Sequence, residues 1–101
     1  MFSKKQNCTE YNIIVLSNAR KSLYKLPSHE KLKIINKLDL LITNQDTLNI
    51  KKLKNFNNLY RIKSGDYRIV YKNDTNQKKF FIIIICHRQN VYKILKKILI
   101  K

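Results

Sequence analysis

Glycine and proline occur once each in this 101-residue chain, at Gly65 and Pro27, while lysine, asparagine and isoleucine are abundant. Such a skew marks an overall compositional bias, so the lysine count alone excludes little, and much of it is solvated surface. Acidic residues are scarce: 6 Asp plus Glu stand against 22 Lys plus Arg, a formal charge of +16. That imbalance favours anionic partners, whether nucleic acid, an acidic protein segment or an acidic membrane surface. The only cysteines, Cys8 and Cys86, lack the spacing of a paired redox or zinc motif. With His29 and His87 they still form no familiar ligand set, so no metal and no cofactor is expected. Long apolar runs are missing too. The longest, Phe80 to Cys86, falls far short of the roughly 20 residues that span a bilayer. It reads as a buried strand, and no membrane partner is expected. The amino end shows no cleavable hydrophobic leader, which makes a reducing cytoplasm the expected compartment.

What is present suits one α+β domain over residues 1–101, with a modest core. "YNIIVL" (11–16) is rich in strand formers. Ser17 or Asn18 can cap a helix carrying Ala19, Leu23 and Leu26, and Pro27 interrupts it. Ser28 can cap a second helix, in which Ile34, Ile35, Leu38, Leu41 and Ile42 recur near a 3.6-residue period. The pair predicts an N-terminal helical hairpin. "TNQDTLNIKKLKNFNN" is polar, and Leu48, Ile50 and Leu53 can anchor either a short helix or an irregular crossover. The period then falls to two. "LYRIK" and "YRIVYK" flank Gly65 and Asp66, and a type II′ turn there pairs Lys63 with Arg68 and Ile62 with Ile69. "NDTNQ" supplies the next turn and "KKFFIIIIC" an inner strand buried on both sides. From Asn90 onward, Val91, Ile94, Leu95, Ile98 and Leu99 alternate with lysines in the rhythm of a terminal helix. Helices gathered beside a largely antiparallel sheet complete the expected architecture.

The arginines are more informative than the lysines. There are four, and Arg61, Arg68 and Arg88 all fall in "LYRIKSGDYRIVY" or "CHRQNVYK". Arginine presents a rigid fork of donors that matches phosphate oxygens. In the predicted register Arg61, Lys63 and Arg68 share a face, with Ile62 and Ile69 on the other. Such a cluster repels itself unless it meets water or a polyanion. In RNA the 2′-hydroxyl already lies near its own phosphate, so cleavage needs alignment, charge neutralisation and proton transfer, with no inherent need for a metal. Lys63 is the more suitable proton acceptor, because an amine crowded by cations gives up its proton more readily than a guanidinium. Arg68 suits stabilisation of the phosphorane, Arg61 the grip on substrate phosphate, and Arg88 the leaving oxygen. Tyr92 can stack on a base or anchor the helix on the sheet; His87 can exchange a proton or serve structure alone. Lys51, Lys52 and Lys54 can lengthen an RNA-binding track. A helix-turn-helix around Pro27 is disfavoured, because "KIINKLDLLITN" offers little base-reading surface.

"LYRIKSGDYRIVY" followed by "CHRQNVYK", with "ARKSLYKLP" after an initial strand, resembles the RelE/ParE superfamily of toxin proteins. The resemblance runs from about Tyr11 to Tyr92 and implies a curved antiparallel sheet with an opening pair of helices. For the RelE-like branch it implies cleavage of messenger RNA in the ribosomal decoding site. A cognate antitoxin would wrap the toxin, and operator DNA would be met only through that antitoxin. By similarity the catalytic positions fall on Arg61, Lys63, Arg68, Arg88 and Tyr92, with His87 accessory. Arg61 stands where a lysine can occur, and Cys86 with His87 replaces a small-residue and basic pair of some relatives. The ParE-like branch shares the scaffold but acts on DNA gyrase, and is the alternative.

Overall fold

Strand-forming Asn12–Val15 becomes strand β1 in the computed structural model, which describes residues 10–99. Cys8 and the last two residues of the terminal stretch lie outside those residues. Helices α1 (Ser17–Tyr24) and α2 (Ser28–Thr43) follow. Neither opens with the expected side-chain cap. The cap positions are Leu16 and Pro27, whose carbonyls accept from the Arg20 and Lys31 N–H groups at 2.9 and 3.0 Å. Each helix therefore begins one residue early, which places Ser17 and Ser28 in its first turn.

The polar middle stretch resolves into a 3₁₀ turn, Gln45–Thr47, and a short strand β2 (Ile50–Lys52), where a helix or crossover was expected. β2 is defined by its partner, strand β3 (Leu59–Ser64): Ile50 lies opposite Ile62 and Lys51 opposite Arg61. Three residues, two of them lysine, carry little strand propensity of their own, and lysines are a usual guard on an edge strand. Strand β4 (Tyr67–Asp74), strand β5 (Lys79–His87) and helix α3 (Val91–Leu99) complete the chain.

The sheet order is β1-β5-β4-β3-β2. β1 runs parallel to β5 and every other pairing is antiparallel, so the sheet is largely antiparallel, as expected, with one parallel pair at its edge. A parallel pair needs a long crossover, and the chain between β1 and β5 supplies one through both helices and strands β2 to β4. β5 is the inner strand that its apolar run predicts. Val70 pairs with Ile84 and Tyr71 with Ile82, which leaves Ile83 as a bulge. The extra residue resets the alternation, so Phe80, Ile82 and Ile85 join one core cluster while Ile84 joins another.

The two clusters lie on opposite faces of the sheet. On one face Ala19 and Leu23 of α1 and Ile34, Leu38 and Leu41 of α2 meet Ile62, Ile69 and Phe80. On the other, Val91 and Leu95 of α3 meet Leu53, Leu59, Val70 and Ile84. Each buried aliphatic side chain contributes about 1.5–3 kcal/mol. Tyr71 is buried edge-on to Phe80 at 5.4 Å and stacks with Tyr60 at 5.4 Å, within the helix-side cluster and its fringe. Among the described residues, no helix is long and apolar enough to cross a membrane.

Candidate functional site

The hairpin register follows from its turn. Gly65 has φ +59° and Asp66 is not among the positive-φ residues, the pattern of a type II′ connection. Lys63 then faces Arg68 and Ile62 faces Ile69. Because Ile62 and Ile69 are buried under α1 and α2, alternation sends Arg61, Lys63 and Arg68 to the α3 side. There they border the smaller core cluster instead of being sealed in the larger one.

Four of the expected residues, Arg61, Arg68, Arg88 and Tyr92, line one open concavity of about 460 Å³, together with Leu53, Gln89 and Val91. Each arrives from a different element. Arg61 comes from β3, where its Nη1 donates to Asn49 Oδ1 at 3.4 Å. Arg68 comes from β4 and folds back over its own turn, Nη1 donating to the Gly65 and Tyr67 carbonyls at 2.9 Å each. Among the described residues its Nε and Nη2 have no partner, so part of the fork remains available for an oxyanion. Arg88 follows β5, where its backbone N–H donates to the Asp66 carbonyl at 2.7 Å. Its Nε lies 4.0 Å from Asp66 Oδ1, an exposed and weak pairing. Tyr92 stands in the first turn of α3 and is 65% exposed, while Val91 and Leu95 make the helix's buried contact with the sheet. The anchoring role therefore falls to Val91, and the Tyr92 ring is left free to meet a ligand.

The other expected residues fall elsewhere. Lys63 is exposed beside Arg68 across the strand pair but does not line the concavity. His87 lies opposite Tyr67, edge-on to its ring at 5.7 Å, on the sheet face away from the arginines. Its Nδ1 accepts the Gln89 N–H at 3.2 Å. The accessory proton exchange expected of His87 thus has no access to this concavity, and the side chain braces the β5–α3 turn instead. Lys51, Lys52 and Lys54 lie beyond Leu53 in a neighbouring groove. Gln89 also lines the concavity, brought there by the turn after β5, and no motif in the sequence marks it.

Cys86 is paired in register with Arg68. Burial pushes its thiol up from the ordinary cysteine value, more than the Arg68 guanidinium draws it down. A protonated, half-buried thiol is a poor nucleophile. Three guanidinium groups therefore share a concavity whose nearest described carboxylate is Asp66 at the rim. A phosphodiester placed there would relieve their repulsion and find several charge-assisted donors.

The family described as "ParE toxin of type II toxin-antitoxin system, parDE" matches residues 13–92, well over half of the chain. The isolated RelE toxin of E. coli is 29% identical, with 88% of this chain and 99% of that chain covered and a TM-score of 0.63. The toxin in the intact E. coli RelBE complex is 26% identical over 76% of this chain and 95% of its own, with a TM-score of 0.64. The archaeal RelE–RelB complex from Pyrococcus horikoshii OT3, at 24% identity, shares the fold over 77% of this chain and 94% of that one, with a TM-score of 0.67. No curated protein matches the chain in sequence.

Proposed function

This chain belongs to the ParE toxin family of type II toxin–antitoxin systems, within the RelE/ParE superfamily, and we propose that it is a ribosome-dependent messenger-RNA endoribonuclease that inhibits translation. The observation that carries the reading is the single concavity lined by Arg61, Arg68, Arg88 and Tyr92. Three converging guanidinium groups beside an exposed aromatic ring suit a phosphodiester flanked by a base.

In the proposed reaction the 2′-oxygen attacks the adjacent phosphorus as its proton leaves, and the bond to the 5′-oxygen breaks. A cyclic phosphate and a free 5′-hydroxyl result. Lys63, across the strand pair from Arg68 and just outside the concavity, accepts the 2′-hydroxyl proton. Arg68 stabilises the phosphorane, Arg61 grips a phosphate, and a water held beside Arg88 delivers the proton that the leaving 5′-oxygen takes up. Tyr92 stacks on a base beside the cut. The ribosome supplies what the small surface lacks, a message already held in one conformation. The RelBE and RelE–RelB structures are complexes with antitoxins, which supports a cognate antitoxin here. Its segment would cover the cationic face or displace α3.

Primer extension across a message in a reconstituted translation reaction tests this reading. Discrete stops are expected only when ribosomes are present. Arg68→Ala should lower the cleavage rate about 100- to 1,000-fold, as expected for loss of one transition-state donor, while ribosome association changes little. Equal loss of cleavage and association would make the cluster a binding patch. The name of the matching family favours ParE-like action as the second reading, and an intact message with impaired gyrase supercoiling would establish it.

A further inference from the structure

The arginine concavity does not end at Tyr92. Leu53 and Tyr92 also line an adjoining groove of about 660 Å³. One bank carries Lys51, Lys52 and Lys54, from β2 and the turn after it; the other carries Lys93 and Lys96, from α3. Lys93 and Lys96 stand three positions apart, on one side of the helix, while Lys97 does not line the groove. No aspartate or glutamate lines it, and among the described residues none of the five lysines is ion-paired.

We infer that this groove holds single-stranded message, with α3 as one of its two banks, so that the strand passes from the arginine concavity over Tyr92 and on between the lysines. The inference rests on the nuclease reading and extends it to residues that the family resemblance does not assign. Continuity with the arginine concavity through Leu53 and Tyr92 favours RNA over an acidic amphipathic helix as occupant. Leu53 and Leu95 are only 5% and 2% exposed, and the lining includes the rings of Phe56 and Tyr92, flat faces on which bases can stack. What the groove offers is ammonium groups on flexible stems, suited to a backbone of repeating phosphates, and at its mouth an aromatic face for a base.

The test uses a labelled RNA of about ten nucleotides, within the usual site size for a single strand, with every 2′-hydroxyl methylated so that it cannot be cut. Its binding to the full chain is followed by fluorescence anisotropy over a range of salt. With a slope of about 0.7 per phosphate contact, Lys93→Gln/Lys96→Gln should weaken binding about tenfold at ~0.15 M salt and lower the salt slope by about 1.4. Lys97→Gln, on the same helix and with the same charge change, should do neither. In the ribosomal assay the double variant should raise KM and keep kcat.

Equal weakening by Lys97→Gln would reduce the groove to diffuse charge and overturn the inference. So would an unchanged double variant, a defect seen only with ribosomes carrying no message, or loss of an acidic peptide with RNA binding intact. Selective RNA loss in a protein that never cuts would keep the groove and sink the nuclease. Normal cutting by the double variant, with KM unchanged, would do the reverse.

Discussion

Gly65 is the chain's only glycine and occupies a left-handed turn position, φ +59°. An added Cβ would meet only Lys33 Nζ at 3.6 Å, an ordinary contact. The cost of Gly65→Ala is therefore conformational, about 1–2 kcal/mol. Gly65→Asn should recover part of it, because asparagine tolerates this region. Urea denaturation should show the midpoint falling for alanine and partly restored for asparagine; equal midpoints would remove the turn strain from the account. The same residue ties stability to the site, since its carbonyl accepts from Arg68. At this scale the residues that come together were legible as a cluster in sequence. Arg61, Arg68, Arg88 and Tyr92, rigid donors and an aromatic ring within two short stretches, line one concavity. His87, expected as an accessory, falls on the other face, because a histidine at a strand end turns to one face or the other according to a parity that β5's bulge resets.

The elements differ in how much of themselves they determine. β3 and β4 alternate strictly around a glycine turn, so their register follows from their own residues. β2 exists only by pairing, and nothing in "IKK" predicts it. The β4–β5 connection is held by Asp74, whose Oδ1 accepts the Gln77 N–H at 3.0 Å and whose Oδ2 accepts from Gln77 Nε2 at 2.9 Å. The Gln77 N–H above all draws the Asp74 carboxyl below 3.8, its ordinary value. Such a carboxylate stabilises the fold fully above that value and loses its effect as pH falls through the lower folded value. Asp74→Asn should therefore melt below the parent near neutral pH, and the gap should close as pH falls from 3.8 through the lower folded value. Thermal melts across that range check it, and a constant gap would mean that the carboxylate's charge plays no part in the turn.

For the whole molecule, a charge of +16 makes self-repulsion the leading electrostatic term, because the described ion pairs are few and mostly at the surface. Raising NaCl from about 0.01 to about 0.15 M shortens the screening length to about 8 Å. The melting temperature should rise by a few degrees; a fall would show that ion pairs outweigh repulsion. By itself the sequence determined the α+β class, the apolar faces of the helices, the hairpin register and the identity of the clustered cations. All of these depend on local periodicity and turn chemistry within a few residues. Only the tertiary structure decided that β1 lies parallel to β5, that His87 faces away from the arginines, and that α3 supplies Lys93 and Lys96 to a groove opposite β2. Those outcomes depend on which distant segments pack together, and the energy that selects them comes from the two cores, Phe80 and Ile34 on one face and Val70 and Leu95 on the other.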